Sequence, residues 1–321
     1  MSKKKKQNRK DSGKSKRIPT PPDPRLMEKS LSDIHRHLEG KHFESIDETN
    51  AYLNSVMNSG EIEEPTRALT QLEQAQELMY EAYDSKGSHR VRLARQALQI
   101  SPDCADAYVL LAEEAATSLK EAGDLYAQGV EAGKRALGPE MFEEDVGHFW
   151  GLMETRPYMR ARAGLAACLW AMGNREEATE HYVDMLRLNP NDNQGLRYEA
   201  ATCLFVLQKY KELEKLLNDH KEGSAMWLYN RALFAFAKSG DTPEAQRLLI
   251  KAMNANPNVP LYLFGKKKMP KQEPHFYGMG DENEAIVYVS ECIDAWVSVE
   301  GAVAWLANKI IQKGEREQPR K

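Results

Sequence analysis

Along most of the chain, apolar residues recur at intervals of three and four, the spacing of one face of an α-helix. The stretch 157–190, PYMRARAGLAACLWAMGNREEATEHYVDMLRLNP, shows it most clearly. Leu165, Ala166, Leu169 and Trp170 mark one short helix, and Ala178, Tyr182, Met185 and Leu186 a second. Gly173-Asn174 supplies a tight turn between them, and Pro190 stops the second. The stripes let two antiparallel helices close on each other. One such hairpin leaves its outer faces bare, so it needs neighbours stacked on both sides.

The pattern returns along the chain. Residues 71–104 carry Leu78 and Met79 in a first helix and Ala94, Ala97 and Leu98 in a second, with Thr70 and Glu73 as a capping box. Thirty-five residues after 157–190, Arg197 answers Arg162, Ala201 answers Ala166, Cys203 answers Cys168 and Leu204 answers Leu169. The shared cysteine slot points to packing rather than redox or metal chemistry. A fifth unit, 224–257, holds Tyr229, Leu233 and Phe236, a turn at Gly240, and Thr242-Pro243 as N-cap and first helical residue.

Other stretches depart from the period. In 105–139 the second helix, around 122–137, contains Gly123, Gly129 and Gly133. Glycine inside a helix costs roughly 0.5–1 kcal/mol relative to alanine, so three of them imply close backbone packing, and Gly138-Pro139 should end the helix. Residues 140–156 interrupt the repeat. Met141, Phe142, Phe149, Trp150, Leu152 and Met153 are too apolar for a plain surface loop and should fold back over the neighbouring hairpins or line a groove. Residues 25–60 read as two short helices, the second opened by a Ser45/Glu48 capping box. Residues 258–280 form a basic, proline-broken loop, followed by helices over Ala285–Trp296 and Trp305–Ile310 that would cap the array with a polar outer face.

The 34-residue helix-turn-helix spacing resembles the tetratricopeptide repeat family, over roughly residues 71–258. The expected fold is all-α: a right-handed α-solenoid of about five such hairpins, with flanking helices and a disordered basic N-terminal tail. The expected divisions are a tail over 1–24, a helical segment and linker over 25–69, the solenoid over 71–258 with its irregular insertion at 140–156, a basic loop and capping helices over 259–312, and a tail over 313–321. The resemblance implies a concave groove, lined by the first helix of each hairpin, that binds a peptide or helix of a protein partner. The family's groove positions fall on Arg160, Trp170, Tyr198, Thr202, Phe205, Trp227, Asn230, Phe234 and Lys238. Slots that clamp a chaperone-tail carboxylate in some family members hold Ala163, Ala167 and Glu199 here, which disfavours that ligand. The phrases DCADAYVLLAEEA, GHFWGLMETRPYMRA, LRLNPNDNQGLRY and VPLYLFGKKKMP look like those of bacterial repeat proteins grouped with the suppressor-of-tumorigenicity-7 family.

Composition adds a partner alternative. Net charge over the 321 residues is −4, yet Met1–Arg17 holds nine Lys and Arg against Asp11 alone. Lys3, Lys4, Lys5, Lys6, Arg9 and Lys10, with Lys266, Lys267 and Lys268, could contact RNA, ribosome or other phosphates; a solubilising tail and a solvated turn are the plain alternatives. Apolar runs are too short to span a bilayer, the basic start is not followed by an apolar segment, and the cytoplasm is the expected location. Four separated cysteines read as buried free thiols. His35, His37 and His42 fit no metal motif and read as surface residues. Around Glu143, Glu144, Asp145 and His148 nothing forms a nucleophile–base pair. The sequence therefore points to a non-catalytic protein without cofactor or metal.

Overall fold

The structure, a computed structural model, describes residues 23–59, 67–220, 222–274 and 276–317. The lysines and arginines of 1–22 and most of the expected acidic linker lie outside them. The described residues form fifteen α-helices and no strand.

Five hairpins make the body. They pair α3 (Gln71–Asp84) with α4 (Ser88–Ile100), α5 (Ala105–Glu114) with α6 (Leu119–Glu144), α7 (Arg156–Ala171) with α8 (Arg175–Leu188), α9 (Arg197–Val206) with α10 (Tyr210–Asp219), and α11 (Ala225–Ser239) with α12 (Pro243–Ala255). Side chains fix several helix starts. Thr70 and Glu73 form the full reciprocal capping box on α3. Ser118, Ser224 and Thr242 each accept a backbone N–H three residues on. Each satisfies a donor that helix geometry leaves without a partner. At α2 (Ile46–Ser59) the box is only half made: Ser45 caps the Glu48 N–H, while the Glu48 carboxylate takes the N–H of Glu44 instead.

The glycines of α6 are contact positions. A Cβ on Gly133 would lie 2.8 Å from the Cβ of Tyr158, and one on Gly129 would lie 3.0 Å from that of Ala161. Backbone-to-backbone approach of α6 and α7 thus requires them. At Gly138 the chain adopts φ 73°, a conformation that other residues rarely take, and helical structure resumes at Pro139. The expected helix end is therefore a kink, because Pro139 sits where the new segment's first N–H needs no partner. Residues 139–144 extend α6 rather than opening the insertion. The remaining insertion folds onto the third hairpin. The N–H groups of Gly147 and Phe149 bond to the Leu188 carbonyl, and fully buried Phe149 packs on Phe142 and Tyr158.

Two apolar clusters hold the array. The smaller one joins α3, α4 and α5, and the larger runs from Val109 to Leu306. The flanking helices do not simply cap the ends. α1 (Leu26–Leu38) lies on the first-helix side of the opening hairpins: the helix itself reaches α3 and α7, and Arg25 at its N-cap reaches α5. α13 (Val259–Leu263) leads through an irregular stretch to α14 (Glu282–Ser298), which contacts α9 and α11, the first helices of hairpins four and five. α15 (Ala302–Glu317) packs on α11 and α14, with Trp305 stacked on Phe236 at 4.5 Å. The expected polar end cap is thus a helix laid across the face that the sequence reading left open. Its stripe of Ala285, Tyr288, Cys292 and Trp296 is fully buried there.

Candidate functional site

Between α1, α3, the ends of α5 and α6 and the start of α7 lies a cleft of about 320 Å³. Leu72, Tyr80, Ala105, Met153, Pro157 and Tyr158 supply its apolar lining. Charged groups rim it, and most are already engaged. Arg67 bonds Glu39 at 3.0 Å and Glu73 at 2.7 Å, and Arg36 bonds Glu77 at 2.7 Å. Arg67 holds the Glu73 carboxyl down at about 2, against a smaller opposing effect of burial. His35 and Glu154 are exposed at the rim.

Beside the cleft, α1 is fastened by buried charge. Arg160 donates to Asp106 through Nε (2.9 Å) and Nη2 (2.7 Å), and its Nη1 reaches both Glu28 oxygens at 2.9 Å. Gln76 adds a third bond to Asp106 at 3.0 Å. Burial, the largest single effect, would raise the Asp106 carboxyl, but the Arg160 charge, the Arg160 and Gln76 hydrogen bonds and the Arg25 charge together outweigh it and hold the group below the usual carboxylate range. Arg160, expected in an open groove, therefore ties α1, α5 and α7 together.

The other groove positions divide into three sets. Thr202, Phe205, Trp227 and Asn230 are buried, and α14 covers two of them directly. Thr202 Oγ1 donates to the Glu291 carbonyl (3.1 Å), and Asn230 Oδ1 accepts from the Tyr288 hydroxyl (3.0 Å), which itself accepts from Trp296 Nε1 (2.7 Å). Tyr198 is also buried: its ring packs on Trp227, and its hydroxyl donates to Glu222 at 2.8 Å. Phe234 and Lys238 face the second helix α10 instead, where Phe234 meets Tyr210 and Lys238 pairs with Glu214 at 2.8 Å. These two line an open depression of about 740 Å³ between α10, α11 and α12. Half-buried Trp170 stacks under the Arg175 guanidinium at 5.3 Å. The nine positions do not form one open surface: α14 covers Thr202 and Asn230, Arg160 is engaged by Glu28 and Asp106, and Phe234 and Lys238 face α10.

Among the phosphate-contact candidates, Lys267 is committed to Glu282 at 2.7 Å, while Lys266 and Lys268 are exposed. Glu143, Glu144 and His148 are exposed without a nucleophile among them. Among the described residues, no group of three His, Cys, Asp or Glu could hold a metal ion, and no helix is long and apolar enough to cross a membrane. His37 departs from its expected surface place: it is buried and stacked on Tyr52, with a 2.7 Å bond to the Tyr52 hydroxyl. All four cysteines are free and buried. Burial pushes the thiols of Cys104, Cys203 and Cys292 to about 12.

Sequence reasoning passed over Glu28, Asp106 and Glu291, and met Glu199 only as a slot that lacks a clamp residue. A signal existed for Asp106, Glu199 and Glu291: each is a lone acid within an apolar helical run, in ADAYVLLA, RYEAATCLFV and VYVSECI. A charge inside such a run needs a partner or a proton.

These features define an all-α helical-hairpin repeat protein whose first-helix face is partly covered by its own flanking helices. A family model described as ST7 protein matches residues 66–233, just over half of the chain. The chain belongs to the ST7 protein family. It is 29% identical over 237 residues to a suppressor of tumorigenicity 7 protein-like from Rattus norvegicus, covering 67% of this chain and 42% of that protein. The corresponding protein of Danio rerio is 29% identical over 235 residues (67% and 40%), and suppressor of tumorigenicity 7 protein of Macaca fascicularis is 29% identical over 231 residues (64% and 43%). The chain thus spans about two fifths of the length of the curated relatives it matches. Among solved structures, YrrB, a TPR protein with an unusual peptide-binding site, superposes with a TM-score of 0.43 at 19% identity, over 68% of this chain and 98% of that one. The helices α1 and α14, which cover the first-helix face, both lie outside the family-matched segment.

Proposed function

We propose that this protein is a non-catalytic interaction scaffold that takes an extended or helical segment of a partner protein into the cleft between α1, α3 and α7. The observation that carries this reading is the shape of that cleft: an apolar floor on the first-helix face, inside a charged rim. Its 320 Å³ suits one or two large apolar side chains as anchors. The rim ion pairs are satisfied within the chain, so an incoming segment need not neutralise them. Exposed Glu154 favours a cation beside the anchor. Elsewhere on the same face α14 already lies across α9 and α11, which supports the capacity of first-helix surfaces to hold a helix.

Photo-crosslinkers placed at Ala136 and Met153 in the cleft, and at Lys251 on α12 as a reference, test the reading. The expected result is one partner joined from both cleft positions, absent from Lys251, and lost when Leu72→Arg is added. A partner joined equally from all three positions, or retained in the Leu72→Arg protein, would overturn the assignment.

A further inference from the structure

Glu199 on α9 and Glu291 on α14 meet in the interface that fastens α14 to the repeat body. Thr202, one turn after Glu199 on the same face of α9, donates to the backbone carbonyl of Glu291 itself. That bond sets Glu291 against the Glu199 turn. The Oε2 atoms of both carboxyls are buried and have no hydrogen-bond partner. Ionising both carboxyls would leave each with a buried oxygen that no donor satisfies, and Glu199 acts as a like charge on Glu291, a costly arrangement in a low-dielectric interface.

The surroundings do not neutralise them. Around Glu199, α8 contributes the Tyr182 phenol, the α8–α9 turn contributes Asp192, and α9 contributes Arg197 and Cys203. Around Glu291, the stretch before α14 brings Glu273 and the Tyr277 phenol, and α14 itself brings Cys292. Arg197 is the cation acting on Glu199, and it is already bonded to Asp192 at 2.6 Å and Glu222 at 2.9 Å. Acidic neighbours therefore outnumber free positive charge on both sides.

We propose that Glu199 and Glu291 form a protonation-controlled latch, holding α14 on α9 while the carboxyls are neutral and loosening it as they ionise. Burial first, then Asp192, pushes the Glu199 carboxyl up to about 7. Burial first, then Glu199 and Glu273, pushes Glu291 up to about 8. A carboxyl whose value is raised in the docked state binds more protons docked than free. Docking therefore weakens as pH rises from the ordinary carboxylate range through about 8, and levels off above. Opening is local and rare at low pH, since Tyr288 and Trp296 keep α14 packed on α11. Its population grows with pH and bares Thr202 and Asn230, two of the positions that the family resemblance assigns to a ligand groove.

Hydrogen exchange of the full chain between pH 6 and pH 9, corrected for the intrinsic pH dependence of amide exchange, tests the latch. Protection of the amides of 285–296 should fall at least about tenfold in the wild type, against unchanged protection in α3 and α4 as internal reference. In Glu199→Gln/Glu291→Gln, whose side chains keep their shape but cannot ionise, the fall should disappear. Each single variant keeps one carboxyl and should show a shallower fall, so the singles carry the test if the double variant does not fold. Profiles as steep in the variants as in the wild type overturn the proposal, as does an unchanged wild-type profile.

Discussion

Arg160 on α7 grips Asp106 on α5 through two parallel hydrogen bonds, of 2.9 and 2.7 Å, around a carboxylate that is fully buried. Removing the guanidinium leaves that charge without its counter-ion and leaves Glu28 tied to α7 through Arg156 alone, at 3.3 Å. Arg160→Ala should therefore lower stability by about 3–5 kcal/mol in urea unfolding. Arg160→Met/Asp106→Leu should lose clearly less than the two single changes together. Strict additivity would show that the pair is not coupled.

The same pair sets an acid limb. Asp106 is held below its ordinary value, so its contribution is complete above about pH 4 and is lost as pH falls through the lower folded-state value. Thermal midpoints of the wild type should drop steeply below pH 4, and those of Arg160→Met should drop less. Parallel curves would contradict this assignment.

Close approach of α6 and α7 makes a sharper demand. A methyl on Gly133 would meet the Cβ and Cα of Tyr158 at 2.8 and 3.1 Å, atoms that move only with the backbone. A methyl on Gly164 would strike the ring end of half-buried Tyr126 instead, at 2.2 Å, and a ring end can swing away. Gly133→Ala should cost about 1–3 kcal/mol despite the better helix propensity of alanine, and more than Gly164→Ala. Denaturation curves of the two variants decide the order.

Tyr288 sits in the middle of a buried chain, accepting from Trp296 Nε1 and donating to Asn230 Oδ1. Tyr288→Phe leaves one donor and one acceptor unsatisfied, and should cost about 1–3 kcal/mol. The loss should show first as raised exchange in α14, before any change in α3 or α4.

Burial keeps the thiols protonated at neutral pH, so a thiol reagent should label the native protein very slowly at pH 7 and all four cysteines after unfolding. Above pH 8 Cys292 on α14 should react ahead of Cys104 on the α4–α5 turn, because only the former is uncovered when α14 loosens. Equal acceleration of both would reflect global unfolding instead.

Much of the local structure is legible in the chain as written. The spacing of Leu165, Leu169, Tyr182 and Met185 specifies a helical hairpin, and the repeated cysteine slot at 168 and 203 specifies burial, because both depend on helix periodicity alone. The capping box of Thr70 and Glu73 and the cap at Thr242 follow from local donor geometry. The glycines at 129 and 133 announced a close helix contact, without naming Tyr158 and Ala161 as its other side.

Only the tertiary structure decided what covers the first-helix face. Periodicity tells which side of α9 and α11 is apolar, and that side is equally suited to a partner's helix or to the chain's own. The choice fell to residues 58 to 89 positions away, where Tyr288 meets Asn230 and Glu291 meets Thr202. Likewise Arg160 read as a groove cation until Glu28, more than a hundred residues earlier, arrived beside it. Repeat pattern is a property of neighbours in sequence and so was readable from the chain. Occupancy of a face depends on which distant segment returns to it, and no local spacing records that.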